Sequence, residues 1–239
     1  MNIIFNIILK CYKLFGLYMK VIIVEGMDNT GKSTMIDRLI KYFGRTDGID
    51  AEKQIYVKHL VKPDGETDIE RATNIDITNF NLATFLINAH KENKYKYIIL
   101  DRAWYSEYVY GQLYRNRPEH EVRKRIQVIE EYLNNYFSKH TDKVSFHLLI
   151  FLATEPNFYI KHEDGQSLSI GDEQRDLIVK EMSLFTNIAY MAKVDNADVY
   201  NMYLCRIKPY VNIKRCKRKI SAHDRKKRKE VTICGTEPK

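Results

Sequence analysis

An α/β fold, a three-layer sandwich with helices on both faces of a five-stranded parallel sheet, is what this sequence predicts, on three observations. Short apolar runs alternate along the chain with longer segments whose apolar residues recur at helical spacing. The first of these runs ends in a glycine-containing loop that opens directly into a helical segment. The 239 residues suffice for one such domain with a sizeable core.

Val21-Ile22-Ile23-Val24 is a β-branched run fit for a strand buried on both faces, and Glu25-Gly26 ends it. From Lys32 onward, Met35, Ile36, Leu39, Ile40 and Phe43 keep helical spacing, with Gly44 as the expected stop. Residues 54–60 read as a second strand, followed by a turn at Lys62-Pro63-Asp64-Gly65. Phe80, Leu82, Phe85, Leu86 and Ala89 predict a helix through Lys91, and Tyr97-Ile98-Ile99-Leu100 a third strand ending at Asp101-Arg102. Pro118 precedes a long helix carried by Val122, Ile126, Ile129, Leu133 and Phe137. Residues 146–152 make a fourth strand. Leu177, Ile178, Met182, Phe185, Ile188 and Ala192 mark a further helix, and residues 199–204 a fifth strand. A parallel sheet of this kind holds its ligands at the carboxyl ends of the strands.

The loop after the first strand is Gly26-Met27-Asp28-Asn29-Thr30-Gly31-Lys32-Ser33-Thr34, which matches G-x-x-x-x-G-K-[ST] with the strand before it and the helix after it that the pattern demands. Its chemistry follows from that shape. The glycines let backbone N–H groups turn onto phosphate oxygens, and the helix N-terminus adds partial positive charge. Lys32, read as an exposed loop cation, bridges the β- and γ-phosphates of a nucleotide, and Ser33 ligates Mg²⁺. Asp101 and Arg102 lie just past an apolar strand, where a carboxylate can hold the metal or its waters and an arginine can grip an acceptor phosphate bidentately.

Charge is unevenly spread. Residues 205–239 hold 13 Lys and Arg against 3 Asp and Glu, whereas residues 1–204 hold 26 against 28, so the whole net charge of +8 lives in the tail. Basic clusters with few aromatics between them suit phosphate-backbone attraction without base stacking. Cys11, Cys205, Cys216 and Cys234 have no CxxC spacing, which argues free thiols in a reducing compartment and no zinc site. The seven histidines are scattered without ligand spacing. No 18-residue apolar run implies a membrane span. Residues 1–18 fit a signal peptide poorly and are expected to be a leader or an unused upstream start, with the folded domain beginning at Met19.

Taken together, VEGMDNTGKST, ILDRAWYSEYVYG and the polar segment after FHLLIFL resemble the thymidylate kinase family of P-loop phosphotransferases, phage branches included, over residues 20–204. The resemblance implies a P-loop NTPase domain at 19–204 with a lid at 153–175 and the basic tail beyond it. It implies that Gly26 to Thr34 hold ATP and Mg²⁺, with Ser33 and Asp101 toward the metal. It places Asp28 near the acceptor's deoxyribose, Arg102 on the acceptor phosphate, and Ser106 and Tyr110 in the nucleoside pocket. It calls for a lid cation on the transferring group, for which Arg175 and Lys161 are available. One departure stands out. The loop His59-Leu60-Val61-Lys62-Pro63-Asp64-Gly65 carries no arginine where the family has one for the monophosphate.

Three readings result. The first is an ATP-dependent deoxynucleoside monophosphate kinase, thymidylate-like. The second keeps the chemistry but takes a modified pyrimidine of the 5-hydroxymethyluracil type within DNA, with the tail along the duplex. The third is a non-catalytic P-loop protein that binds nucleotide and nucleic acid. The partners expected are a deoxynucleotide, free or in DNA, with no membrane; a homodimer is allowed for. The location expected is cytoplasmic, in the host cytoplasm if the source is viral.

Overall fold

Met19–Gly26 is buried along its whole length and forms strand β1, as a β-branched run with neighbours on both sides and helices on both faces requires. The structure, a computed structural model, describes residues 19–140, 144–153, 175–191, 200–207 and 213–216. Strand β1 pairs in parallel with β3 (Tyr97–Asp101) on one side and β4 (Val144–Ala153) on the other, and β2 (Ile55–His59) pairs in parallel with β3. Beyond β4 lie β5 (Tyr200–Ile207), parallel, and β6 (Ile213–Cys216), antiparallel, giving the order β2-β3-β1-β4-β5-β6.

The expected five-stranded, wholly parallel sheet is thereby corrected. Five strands, β2-β3-β1-β4-β5, run parallel, and a sixth, β6, closes the edge antiparallel. Only residues 208–212 separate β5 from β6, enough for an antiparallel return and too few for a parallel crossover, which takes a dozen or more. Strand β5 thus runs past the expected domain boundary at Leu204. Strand β6 draws Lys214 and Arg215, counted in the basic tail, into the sheet. The leader, most of the expected lid with Lys161, and the tail after Cys216 lie outside the described residues.

Six helices cover the described sheet: α1 (Lys32–Thr46), α2 (Ala51–Gln54), α3 (Asp68–Lys91), α4 (Tyr105–Tyr114), α5 (Glu119–Phe137) and α6 (Arg175–Met191). Alternate strand residues serve two cores, the period-two consequence of the pleat. Ile22, Val24, Ile99, Leu149 and Phe151 pack against Met35, Leu39 and Phe43 of α1. Val21, Ile23, Ile98, Leu100, Phe146 and Leu148 pack against α3, α4, α5 and α6.

Three helices depart from expectation. Helix α1 continues through Gly44 to Thr46. Helix α3 starts well before Phe80, because Thr67 and Glu70 form a capping box in which each side chain accepts the other's backbone N–H, at 3.1 and 3.2 Å. Helix α4 gave no amphipathic signal, since Tyr105 through Gly111 are all buried.

Candidate active site

The glycine-rich loop leaves the carboxyl end of β1 and passes directly over β4. At Gly26, φ is 129° and a Cβ would sit 2.0 Å from the carbonyl oxygen of Phe151, so only glycine fits. Met27 N–H then donates to that same carbonyl at 3.3 Å. The loop closes on itself: Thr30 Oγ1 and Lys32 Nζ both donate to Met27 O, at 2.7 and 2.6 Å. Asn29 (φ 56°) and Gly31 (φ 84°) adopt left-handed conformations that turn the chain into α1. No side chain caps α1 at Gly31. Its first turn presents the exposed residues Ser33 and Thr34 at the positive end of the helix dipole.

Lys32 is not the exposed cation expected. It is 8% exposed, and its ammonium lies 3.6 Å from Asp28. Burial first, then the nearby Arg102, lowers its pKa to about 8.

Register alignment puts the second half of the site at the same level, for Val24 and His59 both stand opposite Asp101. Asp101 Oδ2 pairs with His59 Nδ1 at 2.9 Å, while Oδ1 is buried with no hydrogen-bond partner. Arg102 follows with φ 68°, an uncommon conformation for a non-glycine residue, held by its N–H to Val24 O at 2.9 Å. The turn swings its guanidinium back over the loop. Nη1 donates to Gly26 O at 3.0 Å, Nη2 donates to Asp28, and the group stacks 4.9 Å from the ring centre of Tyr110.

Glu25, which sequence reasoning did not assign, ties the two halves together. Fully buried at the end of β1, it accepts from the N–H groups of Ala103 and Ser106 at 2.8 and 3.2 Å and from Ser106 Oγ at 2.5 Å. Its burial pushes the carboxyl up to about 7, against the pull of Arg102 and these donors.

Beside the loop opens a cavity of about 210 Å³, and Asp28, Arg102, Ser106 and Tyr110, the four residues assigned to the acceptor, all line it. Asp28 faces it as the partner of Arg102 and Lys32. Tyr110 donates its hydroxyl to Glu181 of α6 at 3.0 Å. Leu60 and Ile75 supply apolar wall, and Lys62, Glu107 and Arg115 supply charge that the sequence reading missed. The available signal was Glu107 itself, a lone carboxylate inside the aromatic run Tyr105 to Tyr110. Arg175 opens α6 at the edge of the expected lid, and Lys161 falls outside the described residues.

The residues fit a hard divalent cation. An orphaned buried carboxylate oxygen on Asp101 and an exposed hydroxyl on Ser33 are the oxygen donors that Mg²⁺ takes from protein when phosphates and water complete its shell. Among the described residues no helix is long and apolar enough to cross a membrane.

No protein-family model and no curated protein sequence matches the chain. Among solved structures it is similar to polyphosphate kinase 2 from Arthrobacter aurescens TC1, with a TM-score of 0.49 and 11% identity over 79% of this chain. It spans 62% of the length of that protein. It is also similar to two thymidylate kinases. For that of Ehrlichia chaffeensis the TM-score is 0.41, with 12% identity over 82% of this chain and 92% of the other. For that of Candida albicans the TM-score is 0.46, with 14% identity over 80% and 85%.

Proposed function

We propose that the chain is an ATP- and Mg²⁺-dependent kinase that phosphorylates a deoxynucleoside monophosphate, thymidylate-like in its acceptor. The observation that carries this reading is the position of Arg102, whose guanidinium touches the phosphate loop at Gly26 and Asp28 and lines the adjoining cavity. A nucleotide-binding switch or hydrolase needs a phosphate loop; a second cavity sharing a cation with it is what transfer between two bound molecules needs.

On this reading the backbone N–H groups from Gly26 to Thr34 and the start of α1 take the β- and γ-phosphates of ATP. Lys32 leaves Met27 O for a phosphate oxygen, which restores the charge that burial disfavours. Arg102 exchanges Asp28 for the acceptor phosphate and holds it in line with the γ-phosphoryl group, and Tyr110 stays beneath its guanidinium. Ser33 and Asp101 would hold Mg²⁺, directly or through water, which neutralises charge on the phosphates. Arg175 and Lys161 are the lid cations proposed for the transferring group.

A second reading, a modified base within DNA as acceptor, is favoured by one observation: the +10 balance of residues 205–239, which suits a DNA backbone. The two separate when full-length chain and a variant ending at Cys216 are given γ-labelled ATP with dTMP, other deoxynucleoside monophosphates, and DNA carrying thymine or 5-hydroxymethyluracil. Label on free monophosphates, indifferent to truncation, is expected. Label entering only modified DNA, and lost with the tail, overturns the first reading; nucleotide binding without transfer overturns both.

A further inference from the structure

His59 and Asp101 end neighbouring parallel strands and stand opposite each other in the register. Side chains alternate along a strand, so each shares a face with the residues two and four positions before it, Val57 and Ile55 on β2, Ile99 and Tyr97 on β3. Those four pack with Met35, Leu39 and Phe43 of α1. Asp101 therefore lies on the face that α1 covers, at the end of the sheet where α1 begins, and α1 carries Lys32 and Ser33 in its first turn.

The two oxygens of Asp101 meet different surroundings. Strand β2 is the edge of the sheet, and from it His59 Nδ1 holds Oδ2 at 2.9 Å. A carboxylate accepts and cannot donate, so Nδ1 carries the proton. Oδ1 is buried and has no hydrogen-bond partner, in a side chain that is 14% exposed. Such an orphan is costly unless a ligand takes the place that water has lost. The last torsion of an aspartate is broad and two-fold, and the bond from His59 decides which oxygen is turned inward.

The geometry points to His59 as a positioning residue for the divalent cation of the kinase reading above, on which this inference rests. By keeping Oδ2 on its own side, His59 leaves Oδ1 as the single free oxygen on the face where α1 begins. The same hold selects among cations. Mg²⁺ takes one oxygen from a carboxylate and completes a tight octahedral shell with phosphates and water, whereas Ca²⁺ accepts larger shells and often grips both oxygens of one carboxylate. A two-oxygen grip here would draw on the oxygen that His59 already holds. His59 thus favours Mg²⁺ over Ca²⁺, and only the strand register singles it out among seven histidines without ligand spacing.

The test measures binding of a non-hydrolysable ATP analogue by calorimetry with Mg²⁺, with Ca²⁺, or with a chelator in place of either, for wild type, His59→Ala and His59→Asn. Wild type should bind most tightly with Mg²⁺ and least tightly with the chelator. Losing the hydrogen-bond partner of a metal ligand typically costs about ten- to a hundredfold. The His59 side chain is 60% exposed, so His59→Ala should lose less, about three- to tenfold with Mg²⁺, with binding in chelator unchanged and the preference over Ca²⁺ reduced. His59→Asn sets an amide N–H where Nδ1 stands and should restore both affinity and preference. A pair this exposed adds little stability, so both variants should melt near wild type. His59→Ala with wild-type affinity in all three conditions, or weakened equally in all three, overturns this assignment and leaves the kinase reading standing. Equal losses with Mg²⁺ and Ca²⁺ overturn the selectivity. A wild type that binds the analogue no better with Mg²⁺ than with chelator overturns the Mg²⁺-dependent kinase reading and this assignment with it.

Discussion

The glycine-rich loop and the cavity beside it are built in opposite ways. The loop is one contiguous stretch, Gly26 to Thr34, whose binding groups are mostly backbone and whose form is set by Gly26 and Gly31. The cavity is assembled from four separated stretches, around Asp28, Leu60 to Pro63, Ile75, and Arg102 to Arg115, and its charged groups Asp28, Arg102, Glu107 and Arg115 are side chains held in ion pairs. Backbone chemistry survives almost any change that keeps the turn, whereas side-chain pairs can be exchanged one at a time. On the proposed reading, the cavity is therefore where specificity is set.

The sharpest way to break this contrast is at Lys32, the loop's one ammonium group. Lys32→Ala should lower phosphoryl transfer about 10²- to 10³-fold while the thermal melt stays near wild type, because transition-state charge is lost and no apolar core contact is. Transfer by this variant at the wild-type rate would mean the loop is not the donor site. Next is Gly26→Ala, a pure backbone perturbation. With a Cβ placed 2.0 Å from Phe151 O, it should cost about 3 kcal/mol of stability, read by denaturant unfolding. A neutral outcome would show that the crossing over β4 can relax.

The same contrast explains what the sequence disclosed. The loop was legible because its residues are adjacent and its glycine spacing is dictated by geometry that any phosphate loop shares. Strand β3 and the Asp101-Arg102 pair were legible because an apolar run ends there. Arg115 and Glu107 were not, for they meet only after α4 folds, and α4 is buried all round and shows no helical stripe. The first half of α3 was missed for a different reason: its start is fixed by the Thr67–Glu70 box, and Ile75 and Asn79 are its only buried residues before Leu82. Strand β6, Ile213–Cys216, has too few apolar residues to stand out from a basic tail.

Two smaller effects sharpen the account through proton linkage. Glu25 titrates at about 7 in the folded chain, against an ordinary glutamate value of 4.5, so between those values the folded chain keeps a proton that the unfolded chain has released. Stability should fall as pH rises through that window, by at most about 3 kcal/mol from this group, and Glu25→Gln should flatten the slope in a pH series of melts. An unchanged slope would mean that Ala103 and Ser106 stabilise the carboxylate fully. Lys32, lowered to about 8 from 10.5, should take up a proton when a nucleotide phosphate replaces Met27 O. Calorimetric binding of ATP between pH 8 and 10 in buffers of different ionisation enthalpy should read an uptake approaching one proton, and zero uptake would place the ammonium away from the phosphates.

The central claim is that Arg102 joins a donor loop to a separate acceptor cavity, and the most direct measurement is a binding split at that residue. Dissociation constants for ATP, with Mg²⁺, and for dTMP should be determined separately for wild type and Arg102→Gln. Loss of a charge-assisted pair to the acceptor phosphate predicts that dTMP binding weakens by about ten- to a hundredfold while ATP binding changes less than about threefold. ATP binding lost together with dTMP binding, or dTMP binding unaffected, would contradict it, because Arg102 would then serve only to brace the loop through Gly26 and Asp28.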